Sequence, residues 1–343
     1  MSTQTAASTF TLDYVKTVGL ATNQVGRGFI NPYDVAFASD GRIFVLNHCD
    51  SARKGLMRVG IVDLDNEDYL GEFGKGAGSG DEQFNSPVAM AFDSQDRLYV
   101  TDELNHRVTI FDASGKFLGK WDTKGSGDGE FNGPAGIAID QQDNIYIVDQ
   151  HNSRVQKLTT AGKYLSQWGE PGDGPGQFNL PWGVTTDSAG DVYVADWRND
   201  RIQKFSPDGQ FIASFGESGT GDGQLYRPSG VAVDNQGFVY VADWGNERVQ
   251  VFNADGSFQL QLRGQATVSR WAGDYLNVNP DEKRTREMSN LIPELPPHLN
   301  TPHHISSQTE PYFWGPVSVR LDGQGRLFVT ESNRHRFQVY QTK

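Results

Sequence analysis

The sequence predicts an all-β ring of six four-stranded antiparallel blades, and three observations predict it. Four segments overlay almost residue for residue, beginning Phe84-Asn85-Ser86-Pro87, Phe131-Asn132-Gly133-Pro134, Phe178-Asn179-Leu180-Pro181 and Leu225-Tyr226-Arg227-Pro228. Their prolines stand 47 residues apart. A strand-rich repeat of about 40 to 50 residues marks a propeller blade. Two looser copies start at Pro32 and Pro316, which brings the blades to six. The last copy has material for three strands only, 317–321, 326–330 and 336–340. Residues 11–19 resemble the fourth strands of the other copies and supply the missing edge. An unpaired edge invites aggregation, so this strand is expected to pair with the last blade and close the ring.

Within a blade the elements follow from residue types. In the copy from Phe178, residues 183–187 form a short inner strand of small and β-branched residues. Ser188-Ala189-Gly190 turns the chain into a second strand over 191–196. Trp197-Arg198-Asn199-Asp200 connects to the third, 201–205. Pro207-Asp208-Gly209 is a hairpin turn, and 210–215 is the fourth strand. The copy from Pro32 carries an expanded turn at residues 49–55. Between Gly264 and Pro316 lies an insertion. Asn279-Pro280-Asp281-Glu282 is a helix start, which predicts a helix from 280 to about 291.

Composition narrows the function. The chain has 343 residues, 30 Lys+Arg against 43 Asp+Glu, and a net charge of −13. Such a surface repels phosphate backbones, so a nucleic-acid partner is not expected. No run approaches the roughly 18 apolar residues of a membrane span. Residues 1–9 lack the features of a signal peptide. The one cysteine, Cys49, cannot form an internal disulfide. These readings point to a cytoplasmic protein without a membrane partner, and leave its oligomeric state open.

The run from Pro228 to Phe252, Pro-x-Gly-Val-Ala-Val-Asp-x-x-Gly-x-Val-Tyr-Val-Ala-Asp-x-x-Asn-x-Arg-Val-Gln-Val-Phe, resembles the NHL repeat. The resemblance covers nearly the whole chain apart from about 50 residues after Gly264. NHL propellers include protein- and RNA-binding modules, extracellular receptor parts and peptidyl-hydroxyglycine amidating lyases. Those lyases place zinc-binding histidines on the inner strands. The equivalent positions here hold no histidine, so no ligand is carried over. Fold alone does not choose among these functions.

Repeated features read as structural. The second strand ends in Asp102, Asp149, Asp196, Asp243 and Glu331, each followed five residues later by Arg107, Arg154, Arg201, Arg248 and Arg336. Ion pairs that fix each turn explain them better than metal sites do. Asn105, Asn152, Asn199 and Asn246 read as turn residues. The links at 125–129 and 219–223 lack the ending of a phosphate loop and read as flexible connections.

Positions where the copies disagree are the functional candidates. Two residues after the starting proline stand Asp34, Ala89, Gly136, Gly183, Gly230 and Ser318. A single carboxylate there is a general base, a metal ligand or a solvated plug. The position before it holds Tyr33 and Trp182 among smaller residues. After the second-strand carboxylate come His48, Glu103, Gln150, Trp197, Trp244 and Ser332, then His151 and Arg198 in the next column. Strand alternation places all of these on one rim. An aromatic wall with a few polar groups describes a small-ligand pocket. The bland alternative is that the tryptophans cover the ring's centre and the histidines are solvated turn residues. The insertion, 265–312, leaves from the same rim and is expected to act as a lid bearing His303 and His304, or as a packing arm for a partner subunit.

Two functions fit. In the first, the protein is a lyase or hydrolase of a small molecule or short peptide. Asp34, Glu103 and His48 are then catalytic, and Tyr33, His151, Trp182, Trp197, Arg198, Trp244, His303 and His304 bind substrate. A divalent metal, zinc or calcium, is the cofactor this reading admits, with its ligands left open. In the second, the same rim is a non-enzymatic docking surface for a protein or peptide.

Overall fold

The computed structural model describes residues 10–49 and 53–343. The leader reading at 1–9 and the middle of the expanded turn, 50–52, lie outside them. Six four-stranded antiparallel sheets follow one another around a ring. Five run inner to outer in chain order. The sixth is built from Pro316–Leu321, Arg326–Glu331 and Arg336–Thr342, with Leu12–Gly19 as its outer strand. Leu12 pairs with Thr342 and Gly19 with Arg336, so the two ends of the chain close the ring as the sequence predicts.

Each blade is packed on both faces by its neighbours. That is why second strands such as Val192–Asp196 and Val239–Asp243 are buried at every residue rather than at alternate ones. Fourth strands such as Phe258–Leu262 alternate half-buried with exposed, because only one face meets the ring. Tyr99, Tyr146, Tyr240 and Tyr340 are fully buried between blades.

The repeated polar residues form a frame. Asp196 accepts from the Asn179 amide at 2.8 Å, Asn199 Nδ2 at 2.9 Å, Arg201 Nε at 2.9 Å and Gln203 Nε2 at 3.0 Å. Asp149 and Asp243 are held alike. The expected ion pair forms in the third to sixth blades. In the second, Arg107 instead donates to the carbonyls of Ser79 and Gly80 at 2.8 and 2.9 Å. The glycine-rich links are corrected by this frame. Arg154 donates to the carbonyls of Ser126 and Gly127, and Gln156 accepts from the Gly129 amide, so 125–129 is tethered rather than flexible.

A second latch crosses from blade to blade. Residues just before the third strand adopt a left-handed backbone and reach the next blade's opening. His106 Nδ1 accepts from the Gly133 amide at 3.1 Å and Asp200 from the Arg227 amide at 2.7 Å. Glu247 accepts from the Gly315 amide at 2.6 Å, and His335 Nδ1 from the Asn31 amide at 2.9 Å.

The insertion holds three helices: α1 (Arg270–Val278), α2 (Pro280–Met288) and α3 (Pro302–Gln308). Only α2 is expected from the sequence. Ser269 caps α1 and donates to the Gly19 carbonyl. Trp271 is fully buried against Phe29 and Tyr69 and donates to the Glu67 carbonyl. So α1 packs on the outside of the seam between the last and first blades. Among the described residues, no helix is long and apolar enough to cross a membrane.

Candidate functional site

Asp34 opens the inner strand of blade 1 and points into the central channel, 1% exposed. Arg320, on the inner strand of blade 6, grips it with two nitrogens, Nε at 2.8 Å. Ser318 Oγ donates at 2.6 Å and the Met90 amide of blade 2 at 2.9 Å. Burial alone would lower the Arg320 pKa, but Asp34 overrides it and the guanidinium is held more firmly charged. A carboxylate receiving four such bonds is a strut across three blades. The expectation of a general base at Asp34 is corrected on this geometry: its acceptor sites are taken. Beside it the channel leaves about 30 Å³, room for about one or two waters and for no organic ligand. None of the insertion's residues lines it.

The other candidates gather on the rim above. On the side of blades 1 to 3, the Tyr33 and His48 rings stack with centroids 4.0 Å apart and planes 10° apart. His48 Nδ1 lies 2.9 Å from the Pro87 carbonyl, which can only accept, so Nδ1 carries the proton and Nε2 keeps a lone pair. Burial pushes the His48 pKa down, against the pull of the Pro87 bond and of Glu103. The same carboxylate, added to burial, pushes the Tyr33 phenol up. Glu103 takes a hydrogen bond from Ser86 Oγ at 3.2 Å and lies 3.6 Å from His151 Nε2.

On the side of blades 4 and 5 stands an aromatic arch. Trp182 and Trp197 have centroids 6.4 Å apart, and Trp197 and Trp244 6.5 Å. The short turns Trp197–Asn199 and Trp244–Asn246 present the last two on the rim. Arg198 stands over the Trp197 ring at 5.1 Å and Arg227 over the same ring at 5.0 Å. Such contacts contribute about 0.5–1 kcal/mol when exposed, enough to pre-position a guanidinium and far from enough to neutralise it.

The insertion's histidines stand at the edge of this group. His303 Nδ1 is 3.2 Å from Glu247 Oε1, and its ring is 6.0 Å from Trp314. Burial pushes the Glu247 pKa up, against its bonds to Gly315 and His303. His304 Nδ1 shares the Thr301 hydroxyl at 2.8 Å, within its own helix cap. The insertion expected to cover the mouth therefore divides. Its first half clamps the seam from outside, and only α3 reaches the rim.

Arg227, Trp314 and Arg320 are functional-site neighbours absent from the sequence reading. Two of them show the same signal that marks Asp34. Four residues after the starting proline stand Ala36, Ala91, Ala138, Thr185, Ala232 and Arg320; one residue before it, Arg227 is the charged member. Among the described residues no three His, Cys, Asp or Glu side chains converge to hold a metal ion. The described side chains thus present no ready ligand set for a zinc ion.

A wider concavity, about 570 Å³, opens at the opposite rim, lined by Asp93, Asp96, Asp140, Asp143 and Asp322. These carboxylates belong to repeated turns and inter-blade clamps. Asp93 accepts from the amides of Gln95 and Arg97, and Asp143 from the Ser94 amide. Volume favours that rim; chemistry not already committed to the frame favours the upper one.

Comparison with known proteins agrees with the architecture. A six-bladed β-propeller family matches residues 89–159, and the NHL repeat matches 178–205, 225–252 and 313–340. No curated protein matches the sequence. Among solved structures, a protein of unknown function from Bacteroides thetaiotaomicron is 14% identical with a TM-score of 0.63, over 97% of this chain and 76% of that one. A catalytically inactive virginiamycin B lyase from Staphylococcus aureus with quinupristin is 13% identical, TM-score 0.57, over 97% and 99%. A nidogen/laminin complex is 16% identical, TM-score 0.54, over 74% and 93%. At these identities the likeness is one of fold. The chain is a six-bladed β-propeller carrying NHL repeats.

Proposed function

We propose that the upper rim binds a small molecule or short peptide across the channel mouth and performs acid–base chemistry on it, as a lyase or hydrolase. The division of the rim carries this reading. Trp182, Trp197 and Trp244 offer flat apolar surface on one side. His48, Glu103 and His151 offer proton-handling groups on the other. His48 is the base: its tautomer is fixed, its Nε2 lone pair is available, and its lowered pKa keeps it neutral near pH 7. Glu103 balances the charge that His48 gains, through space rather than by contact. Tyr33 supports the His48 ring, and Arg198, with His303 at the edge of α3, borders the bound molecule. A propeller of this architecture named as a lyase and determined with quinupristin supports the small-molecule reading.

A second reading, a docking surface for a protein, is favoured by one observation: the first half of the insertion packs on the outer seam, so only α3 flanks the rim. A thermal-shift screen of small molecules and short peptides separates the two. The first reading predicts compounds that raise the Tm of the protein and lose that effect in Trp197→Ala/Trp244→Ala. Stabilisation that survives the double substitution places binding elsewhere. Stabilisation by no compound contradicts the small-molecule reading.

A further inference from the structure

We infer that the rim selects ligands bearing a compact oxyanion, a carboxylate or phosphoryl group, attached to a flat apolar body. The inference rests on the reading of this rim as a ligand site and specifies what it takes. Arg198 and Arg227 arrive from different blades and both stand over the Trp197 ring, at 5.1 and 5.0 Å. Arg227 also lies 5.2 Å from the Tyr226 ring. Among the described residues, neither guanidinium has a hydrogen bond or an ion pair with the protein. Among the described residues Arg263, over the Tyr312 ring at 5.6 Å, and Arg284 share that unpaired state, and Arg107 and Arg334 bond carbonyls only; most other arginines are tied to acids. Arg42, Arg58, Arg97, Arg154, Arg201 and Arg320 each meet a carboxylate.

The two acids nearest Arg198 in sequence are both occupied, Asp196 by the Asn179 amide, Asn199, Arg201 and Gln203, and Asp200 by the Arg227 amide at 2.7 Å and Ser218 Oγ at 2.7 Å. Two like charges on one indole repel each other, in a protein whose net charge is −13. An oxyanion placed between them relieves that repulsion and receives fork-shaped hydrogen bonds from both. A flat apolar group joined to it lies on the arch of Trp182, Trp197 and Trp244. The remainder of the ligand then extends toward His48 and Glu103. Carboxylate and phosphoryl groups share this chemistry, and the test distinguishes them.

Isothermal titration with 2-naphthoate, 2-naphthyl phosphate and 2-naphthamide tests the inference. One or both anions should bind at least about tenfold more tightly than the neutral amide. Arg198→Gln and Arg227→Gln should each abolish that preference by weakening the anions far more than the amide, and raised salt should weaken only the anions. Whichever anion shows the larger drop in the arginine variants is the group recognised. Equal affinity for acid and amide, with both lost in Trp244→Ala, overturns the anion rule and leaves the aromatic site standing. Binding of none of the three overturns the rule and counts against the site as well.

Discussion

Asp34, buried, and Arg320, half-buried, form a bidentate pair at the seam where the last blade meets the first. Removing one partner of such a pair leaves a charge without compensation, which costs about 3–5 kcal/mol; replacing both by apolar residues is often nearly neutral. Asp34→Asn should therefore lower stability to urea by that order, and Asp34→Leu/Arg320→Met should recover most of the loss. Ligand binding by the folded protein should be unchanged in both. If Asp34→Asn keeps full stability and loses activity, the strut assignment is wrong and a base stands there after all. The carboxylate was legible in the sequence because its five counterparts are tiny. Arg320 shows the same kind of departure, but its meaning depends on a contact 286 residues away. Only ring closure brings the two columns together, so neither reads as a pair until the ring is built. Arg227 was hidden for another reason. It stands one residue before the starting proline, in a column the comparison of copies did not include, and acquires significance only when the fold lays it over Trp197.

Strands and turns were legible because their signals are local. Val192–Asp196, Arg201–Phe205 and Phe211–Phe215 fall where alternation, the carboxylate–arginine spacing and Pro207-Asp208-Gly209 place them. Helices α1 and α3 were not legible. They are short, and their stability comes from tertiary contacts such as the burial of Trp271 rather than from sequence pattern. The blade-to-blade latches were invisible for the same reason, since His106, Asp200, Glu247 and His335 share a role but not a chemistry. Their chemistry has a consequence for pH. His106 Nδ1 accepts a hydrogen bond only while unprotonated. Its pKa is pushed down by burial, by Lys124 and by His151; that of His48 is pushed down by burial. The unfolded chain therefore binds more protons than the native one below the ordinary histidine pKa of about 6.5. Stability conferred by these groups is present above that pH and is lost as pH falls through the lowered native values. Denaturation midpoints measured from pH 7.5 to 5 should fall, and His106→Asn, whose amide oxygen can accept from Gly133, should flatten part of the slope. A midpoint that rises on acidification, or an identical slope in the variant, contradicts the latch.

At the scale of the molecule, the ring is a scaffold that repeats and a rim that does not. Repetition explains what blades 2 to 5 share: a buried acid, an asparagine, an arginine and a glycine-rich link tied to them. Departures from it collect on one face, with aromatics and two arginines over blades 4 and 5, and His48, Glu103 and His151 over blades 1 to 3. The path of the insertion was not written in its composition. A long excursion reads the same whether it roofs a channel or wraps a seam; the buried Trp271 fixes its first half on the seam, and α3 alone reaches the rim.

Six of the seven tryptophans report on this claim directly, because they occupy different parts of the molecule. Trp182, Trp197 and Trp244 line the rim, Trp121 and Trp168 lie on outer strands, and Trp271 is on the insertion. With 5-fluorotryptophan incorporated and each fluorine resonance assigned by substitution, titration with 2-naphthoate should shift Trp182, Trp197 and Trp244 together and leave Trp121, Trp168 and Trp271 in place. Shifts confined to the outer or insertion tryptophans, with the rim three unmoved, would contradict a ligand site at this mouth.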